Sequence, residues 1–113
     1  DFPLLDLPAP ADDDTDHAHH LYIVRLELGL LGVTRDEVAA MMEQLNIGVS
    51  VHFRALHLHP YYRDRFGLRP EDYPVATAMS ERTLSLPLYP AMSDDNARRV
   101  AGTLKAVLEH GKL

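Results

Sequence analysis

Residues 19–45 read HHLYIVRLELGLLGVTRDEVAAMMEQL, and two different periods meet inside them. From His19 to Leu28 the text alternates: Leu21 and Ile23 fall on one face, and Tyr22, Val24 and Leu26 on the other. That predicts a strand with both faces covered. Gly29 and Gly32 break it. Thr34 then stands three residues before Glu37, the spacing at which two side chains and two backbone N–H groups cap one another at a helix start. Val38, Met41, Met42 and Leu45 follow on a single helical stripe that faces a core. Asn46 and Gly48 suit the chain reversal after it. A strand followed at once by a capped, one-sided helix points to a layered α+β fold.

Working outward, VSVHFR (49–54) alternates again. The pattern predicts a second strand with Val49, Val51 and Phe53 toward the core and Ser50, His52 and Arg54 on the opposite face. Leu56 to Pro60 reads as loop, and Tyr61–Phe66 as a helical turn stopped at Gly67. Pro74 fits the first turn of a helix running to about Thr83. LSLPLYP (84–90) reads as a short extended segment. Ser93 caps a final helix, with Asp94 and Asp95 at its dipole-positive end and Val100, Leu104, Val107 and Leu108 as its buried stripe. Upstream, residues 1–16 (DFPLLDLPAPADDDTD) hold three prolines and an acidic run with no sustained period, an extended lead-in whose Phe2, Leu4, Leu5 and Leu7 are free to pack on something. The expected order is β-α-β-α-α-β-α, a small sheet with helices on one side, over residues 17–113.

Composition narrows the class. The chain has 113 residues, 46% hydrophobic and 25% charged, an ordinary globular balance that suits one domain. Eleven Lys and Arg against seventeen Asp and Glu leave a net charge of -6, which argues against nucleic acid or an anionic membrane as partner. The absence of cysteine excludes disulfides, thiolate zinc sites and cysteine nucleophiles. No apolar run approaches the ~20 residues of a membrane span, so the cytoplasm is the default expectation. Residue 1 is Asp and the first Met is Met41, inside the first helix. This suggests a piece of something longer.

Among residues able to do chemistry, seven histidines come first. His17, His19 and His20 form HAHH, but no carboxylate pattern completes a metal site there, and a polar strand start is the simpler reading. His57 and His59 flank Leu58 before a proline and by themselves are no stronger; no metal site is expected. Ser50, His52 and Arg54 say more: one strand face presents a group titrating near neutrality and a guanidinium fork suited to a carboxylate or phosphate. A solvated sheet face is the alternative. A serine–histidine hydrolase is not supported, because no G-x-S-x-G turn or orienting acid accompanies the pair. The two lysines, Lys105 off the apolar stripe and Lys112 in the tail, lack the burial that would depress a lysine pKa.

HAHHLYIVRL, TRDE, NIGVSVHFRALHLHPYYRDRFG and SERTLSLPLYPAMSDD, in this order over residues 17–110, resemble the C-terminal domain of the DegT/StrS sugar aminotransferases. The resemblance implies the small domain of the aspartate-aminotransferase fold, with a mainly antiparallel sheet. HFRALH followed by YYRDRF is most similar to the members that form UDP-4-amino-4-deoxy-L-arabinose from a UDP-4-ketopentose and glutamate, in cell-envelope or lipid A sugar synthesis.

The same resemblance implies pyridoxal phosphate as cofactor, held mainly by a large N-terminal domain that also supplies the Schiff-base lysine. No catalytic or cofactor-binding residue is then expected in this chain. It further implies a nucleotide sugar and glutamate or 2-oxoglutarate as reactants, a homodimer, and His52, Arg54 and His57 as the residues lining the sugar-nucleotide pocket. Two other readings stay open: the same domain from a sugar-nucleotide dehydratase relative, and a free-standing binding module without chemistry.

Overall fold

The computed structural model describes residues 2–110. Three antiparallel strands form one sheet in the order β1 (Leu5–Asp6), β2 (Tyr22–Leu26), β3 (Thr83–Leu86). Leu5 pairs with Leu26, and Val24 with Leu84. Between and after the strands come α1 (Leu28–Leu31), α2 (Arg35–Gln44), α3 (Pro60–Phe66), α4 (Pro74–Arg82) and the long α5 (Asp94–His110), with 3-10 turns at Leu56–Leu58 and Pro70–Asp72. This is the expected α+β class.

The core is the meeting of one sheet face with two helices. Val24, Leu26 and Leu84 from the sheet, Val38 and Met42 from α2, and Leu104, Val107 and Leu108 from α5 are all buried. Burying each such side chain fully contributes about 1.5–3 kcal/mol, so this face holds the fold together. The α2 and α5 stripes are those their spacing predicts. At the start of α2 the capping box forms: the Glu37 N–H donates to the Thr34 hydroxyl, and the Thr34 N–H to the Glu37 carboxylate. Asn46, just past α2, takes a left-handed φ of 58°, as a chain-reversing residue must. Gly32 and Gly67 close α1 and α3 at φ 65° and 63°, where a Cβ would be strained.

Three expectations are corrected. The lead-in does not merely precede the sheet; Leu5–Asp6 is an edge strand, and Phe2, Leu4 and Leu5 pack against the core. The second strand does not form. Of residues 49–54 only Ser50 pairs, exchanging both backbone hydrogen bonds with Ser85 on the outer edge of β3, and Phe53 is 76% exposed rather than in the core. After Ser50 the backbone leaves β3: His52 still reaches the Ser85 hydroxyl through its side chain, and Ala55 finds its partner at Ser80 on α4. The His52–Phe53 peptide is cis. The strand starting at His19 is also shorter than expected: His17, His19 and His20 lie in an exposed stretch ahead of β2.

Arginines tie the layers at their edges. The Arg35 guanidinium, on α2, donates to the carbonyls of Ser80 and Thr83 at 3.3 and 3.0 Å. Arg82, at the end of α4, donates to the Leu26 carbonyl at 2.8 Å and pairs with Asp6 and Glu27. Together they fix where α4 runs relative to β2 and β3, and α4 positions the candidate site.

Candidate functional site

The site is built on a short run of chain, residues 50–57, laid against α4 and β3. Ser50 is tied through its backbone to Ser85. Two residues on, His52 Nδ1 lies 2.8 Å from the Ser85 hydroxyl. The Ala55 N–H donates to the Ser80 hydroxyl at 2.8 Å, and His57 Nε2 lies 2.7 Å from the Thr77 hydroxyl. As this run advances, its partners step backward from β3 up α4. The Thr77 hydroxyl gives its one proton to the Pro70 carbonyl at 2.9 Å, so toward His57 it accepts, and His57 carries its proton on Nε2.

The three residues expected to line a substrate pocket are therefore not alike. His52 is half-buried and bonded to β3. His57 is buried, 7% exposed, with its ring 4.9 Å from that of Tyr73. Only Arg54 is exposed, and it makes no hydrogen bond or ion pair among the described residues. Ser50 is exposed too, but contributes its backbone. The strand that would have aligned Ser50, His52 and Arg54 is absent. What brings His52, Arg54 and His57 into one short loop is the set of hydroxyls beneath them.

Beside this loop lies a groove of about 350 Å³ lined by Leu56, His57, Tyr62, Leu68, Tyr73 and Ala76. Tyr62 stacks on Phe66 with centroids 6.3 Å apart, and Arg65 stands over the Phe66 ring. Asp72 precedes the groove residue Tyr73 in the chain. The Arg69 N–H, then its guanidinium, holds the Asp72 carboxyl below the usual carboxylate range, and His57 adds a smaller pull in the same direction.

Sequence reading missed Thr77, Ser80 and Ser85. A signal existed: Ser85 interrupts the apolar run of Leu84 and Leu86, and Thr77 and Ser80 are three apart, hence on one side of a helix. Their partners were not legible, because they come from a distant part of the chain. Among the described residues no group of three or more His, Asp or Glu is placed to hold a metal ion. His59 precedes α3 as its cap position without a side-chain bond. Lys105 is exposed, paired with Glu109 at 3.8 Å and 5.9 Å above the Phe2 ring; Lys112 is outside the described residues.

Comparison with known proteins places this architecture. Residues 2–105 match the DegT/DnrJ/EryC1/StrS aminotransferase family. The chain belongs to that family. It is 45% identical over 98 residues to the spore coat polysaccharide biosynthesis protein SpsC of Bacillus subtilis, covering 86% of this chain and 25% of SpsC. Its fold superposes on Spr1654 of Streptococcus pneumoniae with a TM-score of 0.82 at 27% identity, over 96% of this chain and 27% of that one. Spr1654 has been solved in apo, PLP and PMP forms. DesI, solved in the presence of its TDP-sugar product, gives a TM-score of 0.78 at 28% identity, over 98% of this chain and 28% of DesI. The chain thus spans about a quarter of the length of these family members. No helix among the described residues is long and apolar enough to cross a membrane.

Proposed function

We propose that residues 17–113, with residues 1–16 as lead-in, are the C-terminal small domain of a pyridoxal-phosphate-dependent aminotransferase. The enzyme moves an amino group from glutamate to a keto-sugar nucleotide. The family match over residues 2–105 carries the reaction class. The TDP-sugar of DesI supports a nucleotide sugar, and the place of SpsC in spore coat polysaccharide biosynthesis supports a product destined for a cell-surface polysaccharide. A UDP-4-ketopentose as the particular substrate rests on HFRALH (52–57) and YYRDRF (61–66).

Pyridoxal phosphate supplies an electron sink once a lysine holds it covalently. Lys105 does not fit that part: it is exposed and paired with Glu109. No step through the cofactor is assigned to the described residues. The role we give this domain is on the substrate side. Arg54 offers an unpaired guanidinium fork to a phosphate or carboxylate, while His52 and His57 anchor the loop that carries it.

Replacing Arg54 by Ala in the full-length enzyme tests the reading. The half-reaction with the nucleotide sugar is expected to weaken by about 1.5–3 kcal/mol, the range for a hydrogen bond to a charged group. The half-reaction with glutamate and the melting temperature should hold, since Arg54 is exposed. Equal damage to both half-reactions would remove the substrate-side assignment.

A further inference from the structure

Residues 51–55 belong to no helix and no strand, so no backbone ladder sets their path. Three side-chain hydroxyls bond them and His57 instead. Ser85 meets an imidazole Nδ1 at His52, Ser80 accepts a backbone N–H at Ala55, and Thr77 accepts an imidazole Nε2–H at His57. The geometry points to Thr77, Ser80 and Ser85 as positioning residues for sugar-nucleotide binding, holding residues 52–57 in the shape that turns Arg54 outward. This rests on the substrate-side reading of Arg54 given above.

The exposure pattern is the first support. Every residue of this run with a bond to a hydroxyl is buried or half-buried, and the residues between them, Phe53, Arg54 and Leu56, are all exposed. The anchors thus decide which side chains face out. Burial is the second. Ser80 and Ser85 are 6% and 4% exposed, and a hydroxyl in such a place costs free energy unless it is bonded. If the run only had to be covered, apolar residues would serve as well. Hydroxyls at these points specify angle and distance, and the three bond three chemically different groups. Third, α4 is itself fixed at its far end by Arg35 and Arg82, so the hydroxyls project from a rigid frame. A substrate group meeting Arg54 then meets a guanidinium whose backbone is already placed, and the ordering cost is not incurred on binding.

The decisive pair is Thr77→Val and Thr77→Ser in the full-length enzyme. Valine keeps the shape of threonine and removes the acceptor for His57; serine keeps the acceptor. Thr77→Val is expected to raise KM for the nucleotide sugar about tenfold, the worth of one hydrogen bond to a buried donor. The glutamate half-reaction should stay within about twofold of its starting rate, and Thr77→Ser should restore the sugar KM. Ser80→Ala provides a second route, because it removes the acceptor of the Ala55 N–H. Amide exchange at Ala55, read on this 113-residue chain, should then accelerate about tenfold. An unchanged sugar KM in Thr77→Val would overturn the positioning role, as would equal loss in both half-reactions or failure of serine to rescue. Unchanged exchange at Ala55 in Ser80→Ala would overturn the hydroxyl anchoring itself. Arg54→Ala is read separately. A raised sugar KM in that variant beside a normal one in Thr77→Val would sink the positioning role and leave the Arg54 reading standing, whereas a normal sugar KM in Arg54→Ala would sink that reading and the positioning role with it.

Discussion

Individual side chains in this protein take their roles from single partners. Lys105 has the chemistry of a cofactor-binding lysine and none of the surroundings; it stands exposed on α5, paired with Glu109. Borohydride treatment of this chain with pyridoxal phosphate, followed by mass spectrometry, is expected to show no site-specific stoichiometric adduct at Lys105. Such an adduct would contradict the assignment. Asp72 takes its character from Arg69, whose N–H donates to one carboxylate oxygen at 2.8 Å while its guanidinium reaches the other at 3.2 Å. Because its pKa is lowered on folding, the stabilising contribution is fully present above the unfolded value of about 4. It disappears as pH falls through the lower folded value. Thermal melts of the parent chain and of Asp72→Asn should therefore differ at pH 7 and converge in acid, once the pH has fallen through the lowered folded value. A gap that persists unchanged in acid would show that the carboxylate charge is not its source.

Elements split into those whose reasons are local and those whose reasons are not. For α2 both the cap and the stripe are written within ten or so residues, and its expected start and stripe appear as read. Thr34→Ala removes the acceptor for the Glu37 N–H, and a loss of about 1 kcal/mol is expected in chemical denaturation, with the fold retained. Thr34→Ser should recover most of it. The 49–54 segment is the opposite case. Its alternation is as clean as that of β2, yet strand pairing stops at Ser50. Alternation says which residues could share a face, whereas pairing requires an edge running alongside. Only Ser50 pairs with the edge of β3, at Ser85, and beyond it the Ser85 and Ser80 hydroxyls bond His52 and Ala55 in place of a strand partner. The Leu5–Asp6 strand shows the converse. Two residues are too short to display a period, but the open edge of β2 recruits them.

At the scale of the molecule, the apolar surface is distributed differently from what the sequence suggests. Phe2, Leu4 and Leu5 are half-buried against their own core, while Phe53, Leu56, Tyr61, Phe66 and Val75 stand 59–76% exposed on residues 53–75. Large exposed apolar areas mark surfaces that associate. Light scattering across a dilution series is expected to show this chain self-associating as concentration rises. The double change Phe53→Ser and Val75→Ser should shift the rise to higher concentration. Removing residues 1–14 should instead lower the melting temperature, since it deletes β1 and the packing of Phe2, Leu4 and Leu5. A chain monomeric throughout, or a truncation that abolishes association without loss of stability, would reverse this picture.

The sequence by itself determined the α+β class, the α2 and α5 stripes, the helix start at Pro74, the cap at Ser93 and the family. All of these are set by neighbours within a few turns, or by motifs compared whole. It also picked out His52, Arg54 and His57 as chemically able residues. Only the tertiary structure decided that they sit in a loop and not on a strand, that two are anchored inward and one is free, and which three hydroxyls hold them. Those partners lie 20 to 33 residues away along the chain. A hydrogen bond between side chains so far apart leaves no period in the text; it exists only once α4 and β3 have been fixed against the sheet.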